Sequence, residues 1–507
     1  MLLIFSKETY NGEIMYFIST RDNNSTKYTS AQVIKQGLAN DGGLFVPTEI
    51  PCLTKKEILS FCSLSYPELA ATILSKFLSD YTFDELLADC KNAYSMPSFP
   101  KDVCPLVKVN DNTYSLELWH GPTCAFKDMA LQIMPRLLSR SLAKTGEYRT
   151  AIVLVATSGD TGKAALEGYK DIPKIKINVF YPQNGVSKIQ ELQMTTQTGN
   201  NVNVCAVKGN FDDIQTGVKH IFNNSTISNE INEKGYFFSS ANSINFGRLA
   251  PQIVYYVKAY CDLLSNNDIE FGDKINVCVP TGNFGNILAA YIAKLMGLPI
   301  DKLICASNSN NILTDFLNTG RYDRNRNFHL TMSPSMDILI SSNLERLLYL
   351  TTNAKQTSEY MQQLNERGFY QINNDIKQKI DDNFIGFFAT EEQTSATIKN
   401  YFNKHHYLMD THTAVAFHSL DEYRNNTNDN TITVVASTAS PYKFAKNVYG
   451  SIYNENDFND FEILKELSNK TGTQIPTPLY ELDKKQVNFN RKVEPQNMIN
   501  EIFHFLE

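Results

Sequence analysis

Apolar residues recur at helical spacing in "SAQVIKQGLAND" and "YPELAATILSKFL", and "NDGGLFVP" reads as a turn running into a short extended piece. Residues 1 to about 95 therefore predict a mainly helical opening region. From about residue 105 the pattern changes. Continuous apolar runs rich in β-branched residues, "TAIVLVAT", "IKINVFYP", "NVNVCAVKG", "KINVCVPT", "KLICASNS" and "TITVVAST", alternate with helical stretches such as "KAALEGYKD" and "VSKIQELQMTTQTG", the last closed by Gly199. Strands of continuous rather than alternating hydrophobicity, separated by helices, predict parallel strands covered on both faces. "YRNNTNDNTIT", near residues 423 to 433, reads as a polar surface loop, and no repeat at solenoid periods is present.

Two strand-to-helix junctions carry small residues where a ligand could approach the backbone. In "VLVATSGDTGKAALEGY", Thr157, Ser158, Gly159, Asp160, Thr161 and Gly162 fall at the carboxyl end of a strand and open a helix, where unpaired N–H groups and the helix dipole favour an anion. In "INVCVPTGNFGNILAAYIAKLMG", Thr281, Gly282, Asn283, Phe284, Gly285 and Asn286 repeat the arrangement, a compact nest suited to one phosphate monoester. Neither has the spacing of a P-loop or of the dinucleotide fingerprint, which leaves a nucleotide-dependent transferase or a nicotinamide cofactor unsupported. A plain βα turn with a good cap is the competing reading of each.

"LWHGPTCAFKDMALQ" places Lys127 among Phe126, Met129, Ala130 and Leu131. Two readings compete: a surface lysine with its stem along apolar neighbours, or a desolvated lysine prepared to react as a neutral amine. "SSANSINFGRLAPQIVYYVKAY" crowds Ser239, Ser240, Asn242, Ser243 and Asn245 before a helix beginning near Arg248, an anion clamp or an arginine satisfied by neighbours. "TMSPSMDILISSNLER" reads as structural, with Ser333 and Pro334 as a turn and helix start. His120 reads as a packed, hydrogen-bonded residue near Lys127.

Composition narrows the function classes. At roughly 100–200 residues per domain, 507 residues predict two to four domains or one large enzyme core. A formal net charge of −7 argues against nucleic acid as a partner, though not against small anions held locally. Nine cysteines are scattered singly, without C-x-x-C spacing, the pattern of a reducing compartment. The apolar patch in "MLLIFSKETYNGEIMYF" is too short for a signal peptide and lacks a basic flank, and no apolar run approaches the ~20 residues of a membrane span. The expectation is a soluble, cytoplasmic protein with no membrane partner. No histidine stands in H-E-x-x-H, and His405–His406 lacks the company of a metal site, so no metal is expected.

"LELWHGPTCAFKDMALQ", "ATSGDTGKAA", "GNFDDIQ", "SSANSINFGRLAPQIVYY", "PTGNFGNILAAY", "SPSMDILISSNLER" and "STASPYKFAKNVYG", in that order, resemble the threonine synthase family, in its longer class II form. The N-terminal "YFISTRDNNSTKYTSAQVIKQGLANDGGLFVP" resembles that family's opening segment, so the likeness covers nearly the whole chain. The resemblance implies an α/β enzyme of the fold-type II, tryptophan synthase β-like class that uses pyridoxal 5′-phosphate, with parallel sheets covered by helices. It implies a division into an N-terminal domain (1–95), a cofactor-binding core of two α/β subdomains (96–455) and a C-terminal extension packed on it (456–507). Lys127 aligns with the family's Schiff-base lysine. Gly282, Asn283, Phe284, Gly285 and Asn286 align with its phosphate-binding loop, and Thr438 with the hydroxyl residue at the pyridine nitrogen. Many members read "TAHPAKF" where this chain has Thr438, Ala439, Ser440, Pro441 and Tyr442, and "STRG" where it has "STRD". The implied reaction converts O-phospho-L-homoserine and water to L-threonine and phosphate. Ser158, Gly159, Asp160 and Thr161 are expected at the substrate carboxylate, and Ser239, Asn242 and Arg248 at its phosphate. A related phospho-lyase releasing 2-oxobutyrate and ammonia, and a catalytically silent relative, stay open. A monomer or small homo-oligomer is expected.

Overall fold

The computed structural model describes residues 14–454 and 458–507; the apolar patch that opens the chain lies outside the described residues. The helical opening region is present as Ser30–Gln36, Lys55–Phe61, Tyr66–Ser75 and Phe83–Ala93. Local sequence sets where three of these start. Thr29, Thr54 and Thr82 each cap the N–H three residues on, while Gln32, Glu57 and Glu85 reach back to the capping residue. Each such box is worth about 1 kcal/mol. A small antiparallel pair, Phe17–Ser19 with Phe45–Pro47, completes the region.

The strands of the two large sheets that follow are β1 (Leu106–Asn110), β2 (Thr113–Glu117), β3 (Thr150–Ala156), β4 (Ile175–Pro182), β5 (Val202–Val207), β6 (Tyr236–Ser240), β7 (Ile275–Pro280), β8 (Ile300–Ser307), β9 (Phe384–Phe388), β10 (Thr433–Ser437) and β11 (Lys492–Val493), and Arg321–Asp323 with Phe369–Gln371 forms a separate antiparallel pair. One sheet has the order β9-β8-β7-β10-β2-β1 and is parallel except for the β1–β2 hairpin. The other has the order β11-β5-β4-β3-β6 and is parallel throughout. Five helices position the site: α1 (Lys127–Leu131), α2 (Asp160–Tyr169), α3 (Phe246–Ser265), α4 (Gly285–Leu295) and α5 (Thr411–Thr427). α3 is apolar on nearly every side and lies in the same hydrophobic cluster as the N-terminal helices and strands of both sheets.

The six strands expected from their apolar runs are β3, β4, β5, β7, β8 and β10. The pattern did not point to β1, β2, β6 or β9. Three of these are sheet edges, half covered and so without a continuous apolar run. β2 is fully buried but polar: the Ser115 hydroxyl lies 2.7 Å from that of Tyr407, and Arg424 donates to the Thr113 hydroxyl at 2.7 Å. The stretch at 423 to 433 is corrected: α5 continues through Thr427 and is closed by Asn428 in the left-handed region. That covers the first half of the stretch, which is the solvent-facing end of the helix; residues 428–432 do run as an irregular surface connection to β10. At the C-terminal end, β11 pairs Lys492 with Ala206 of β5, and the helix Met498–Leu506 packs beside it. Among the described residues no helix is long and apolar enough to cross a membrane.

Candidate active site

The carboxyl ends of β3, β7 and β10 open the three motifs singled out in the sequence, the edge at which parallel α/β sheets bind ligands. They meet around Lys127. Just before α1, Phe126 N donates to Thr438 O at 2.8 Å, and Ala125 bridges Ala439, which stitches the start of α1 to the end of β10. The Lys127 side chain is 11% exposed. Its Nζ donates to Ser335 Oγ at 3.2 Å and lies 3.8 Å from Asp160 Oδ2. Burial holds its pKa below the usual lysine value; Asp160 opposes, while Lys443 and Arg248 push the same way. The surface reading of Lys127 is thereby set aside.

Phe284 caps α4 in the left-handed region at φ 62°. A non-glycine residue pays about 1–2 kcal/mol there, and burial of its ring 5.7 Å from Phe384 keeps it in place. That bend leaves the N–H groups of residues 282 to 286 without acceptors among the described residues. Asn286 adds a sixth donor. Its Oδ1 accepts from Tyr255 at 2.7 Å and from Tyr256, which fixes the amide so that Nδ2, buried and without a partner, is the free atom. A cradle of donors with no acceptor fits a phosphate ester. Gly282 packs so closely that a Cβ would stand 2.7 Å from Ser335 O, a backbone atom. Gly282→Ala is expected to cost about 1–3 kcal/mol, read as a lower urea midpoint. Ser335 also holds Lys127, so the same shift is expected to weaken cofactor retention.

The first cradle is more particular than its sequence shows. Gly159 and Gly162 both donate to Thr157 Oγ1, at 3.0 and 2.9 Å, leaving the N–H groups of Ser158, Asp160 and Thr161 without acceptors among the described residues. Gly159 sits at φ 140°, where a Cβ would meet the Gln190 side chain at 2.5 Å. The Asp160 side chain is itself an anion turned inward. Lys443 donates to its Oδ1 at 2.8 Å and Gln190 at 3.1 Å. Burial alone would raise its pKa, but Lys443 and Lys127 hold it well below the usual carboxylate range. What this turn offers an incoming carboxylate is backbone N–H groups and the hydroxyls of Ser158 and Thr161.

Arg248 is buried at the start of α3. Its Nη1 donates to Ala241 O at 2.8 Å and its Nε has no partner. Burial draws its pKa down to about 10. Ser239 pairs in register with Val153 inside the sheet, and Asn242 is exposed on the loop to α3. Neither makes a hydrogen bond to Lys127 or Arg248. His120 packs as expected, 2.7 Å from Glu117 and stacked on Trp119. After β10, Ser440 Oγ accepts from Tyr442 N at 3.3 Å, whereas Oγ1 of Thr438, the expected ring hydroxyl, makes no hydrogen bond among the described residues.

The sequence reading missed four residues. Lys443, with a fully buried side chain, lies five residues beyond Thr438. Ser335 lies in the stretch read as structural, and its backbone N–H donates to His412 Nε2 at 3.2 Å. His412 Nδ1 is in turn held by Asp410 at 2.9 Å. The same stretch braces the nest, since Ser341 donates to Gly282 O at 2.7 Å and Asn343 to Asn283 O at 3.0 Å. Ser335 is a hydroxyl between two polar motifs, and no spacing rule marks it.

Comparison with known proteins agrees with this geometry. Residues 16–94 match the family model "Threonine synthase N terminus" and residues 105–438 match "Pyridoxal-phosphate dependent enzyme". The chain is 42% identical to Threonine synthase-like 1 of Macaca fascicularis over 83% of its own length, and it spans 57% of that protein. It is 38% identical to threonine synthase of Pseudomonas aeruginosa, over 86% of this chain and 90% of that one. The crystal structure of pyridoxal-phosphate-bound threonine synthase from Brucella melitensis superposes with a TM-score of 0.87 at 34% identity, covering 97% of this chain and all of that one. The chain belongs to the threonine synthase family of pyridoxal-phosphate-dependent enzymes.

Proposed function

We propose that the chain converts O-phospho-L-homoserine and water to L-threonine and phosphate, with pyridoxal 5′-phosphate bound through Lys127. The observation that carries this reading is the convergence on one buried amine. Ser335 Oγ accepts from Lys127 Nζ while the Ser335 backbone carbonyl packs against Gly282, and Asp160 brings the second cradle within 3.8 Å. The donor-only nest of Gly282, Asn283, Phe284, Gly285 and Asn286 holds the cofactor phosphate, and the Thr438 hydroxyl faces the ring nitrogen. When bound, the cofactor supplies an aldehyde for an amine and a ring that accepts the electron pair left by a broken C–H bond.

The chain's own groups do the rest. Lys127 Nζ gives way to the substrate amine and then takes the proton from the substrate α carbon. A neutral amine is required for both, and burial shifts Lys127 in that direction. The N–H groups of Ser158, Asp160 and Thr161 and the hydroxyls of Ser158 and Thr161 orient the substrate carboxylate, with Gly159, its own N–H bound to Thr157, shaping the turn. Arg248, with a buried unpartnered Nε, takes the phosphate that leaves the γ carbon, with Ser239 and Asn242 at the mouth of that site. Loss of a β proton accompanies that departure, a proton returned to the γ carbon makes the methyl group, water adds its hydroxyl at the β carbon, and the α carbon regains a proton. The three-part division at 1–95, 96–455 and 456–507, a cytoplasmic location and a monomeric or small homo-oligomeric state accompany this reading.

The second reading is elimination that ends in 2-oxobutyrate and ammonia, which needs the same cradles and the same buried amine for its early steps. Purified protein given O-phospho-L-homoserine is expected to release threonine and phosphate in equal amounts. Phosphate with 2-oxobutyrate would assign the lyase, and neither product would leave a silent relative.

A further inference from the structure

Lys443 is a buried cation of this neighbourhood whose placement the reaction above does not use. Its side chain is fully buried, which is costly for an ammonium group unless it is paired and hydrogen-bonded. It is both. Its Nζ stands 2.8 Å from Asp160 Oδ1 and donates to Thr123 O at 2.9 Å. Thr123 in turn donates its N–H and hydroxyl to Asp128, at 2.8 and 2.7 Å. Lys443 thus sits between two buried acids, in direct contact with one. With Gln190 on the same Asp160 oxygen, Lys443 draws the carboxylate to its side. Lys127 is left at 3.8 Å from the other oxygen, beyond hydrogen-bond distance.

We propose that Lys443 is a positioning residue that captures the Asp160 carboxylate, so that Lys127 is not locked into a tight ion pair and its amine stays free to exchange partners. The proton that a buried acid demands of its surroundings is carried by Lys443 and kept off Lys127. The groups that face Lys127 from each packed element are consistent with this. Asp160 favours the charged amine, and Asp128 does so from farther away. Lys443 and Arg248 disfavour it. The Cys124 thiol, pushed up to about 12 by burial, stays neutral, and His412 meets Lys127 only through Ser335. Removing Lys443 takes away a repelling cation and also returns Asp160 to Lys127. Both changes favour the charged amine.

This inference rests on Lys127 being the cofactor lysine, which borohydride trapping followed by peptide mapping tests separately. A trapped group on another lysine fails the functional reading and leaves the role of Lys443 without a cofactor to serve, whereas a midpoint unmoved in Lys443→Met fails this inference alone. The measurement here is the pH midpoint at which the Lys127 amine becomes reactive. It is read by competitive acetylation of the cofactor-free full chain, and in the holoenzyme by the pH dependence of its visible band. Lys443→Met is expected to move the midpoint up by a pH unit or more, about a tenfold loss of reactive amine at fixed pH below it. Lys443→Arg is expected to restore it. Lys443→Met with Asp160→Asn, which removes both charges, is expected to bring it back towards the parent value. If Lys443→Met folds only when Asp160→Asn accompanies it, the counter-charge is demonstrated directly. A midpoint unmoved in folded Lys443→Met, or failure of the single and double variants alike to fold, overturns the proposal.

Discussion

Lys127→Ala leaves a folded chain with no visible band from added cofactor and at least about 10⁴ times less turnover of O-phospho-L-homoserine. The size of the effect follows from two roles held by one atom. The same Nζ anchors the cofactor and moves the α-proton, so its loss is not shared out among neighbours. The fold is expected to survive because the amine is a liability to it. Burial disfavours its charge, Asp160 is already satisfied by Lys443 and Gln190, and among the described residues the Ser335 hydroxyl is its one hydrogen-bond acceptor. The checks are the absorbance of the dialysed protein and its melting temperature without cofactor. A melting temperature within a few degrees of the parent, with band and turnover gone, is the expected combination. A band retained by Lys127→Ala would place the cofactor on another amine.

What was legible in the sequence divides along physical lines. Strands buried on both faces wrote themselves as continuous apolar runs, and their parallel pairing followed from the helices between them. Edge strands such as β6 and β9, covered on one side, left no such run. The glycine-bearing turns after β3 and β7 were visible because close backbone approach restricts residue choice, as the short contacts expected at Gly159 and Gly282 explain. Lys127 was visible as a cation in an apolar setting. Lys443 is more deeply buried but sits among Tyr442 and Phe444 in a stretch valued for its hydroxyl, and its partner Asp160 lies 283 positions away in a turn read as an anion cradle. A charge pair that closes only when two sheets meet leaves no local trace. The same holds for Ser335, His412 and Asp410, which support Lys127 from behind.

Asn286→Asp tests the nest with almost no change in shape. The Asn286 Oδ1 accepts from both Tyr255 and Tyr256, and a carboxylate oxygen accepts from them equally well, so the packing of α3 against α4 has no reason to change. The substitution acts on the other atom. Nδ2, a buried donor without a partner, becomes an oxygen aimed at the same space. A phosphate dianion held there would lose one donor and gain a like charge in a desolvated setting. Like-charge juxtaposition costs several kcal/mol, so the cofactor dissociation constant is expected to rise at least about a hundredfold. Fluorescence titration of the cofactor-free chain reads that constant. Inorganic phosphate, which occupies the same donors without needing Lys127, is expected to lose its protection against thermal unfolding in the variant. Unchanged affinity for both would put the phosphate elsewhere and leave the six donors of this turn without an anion to serve.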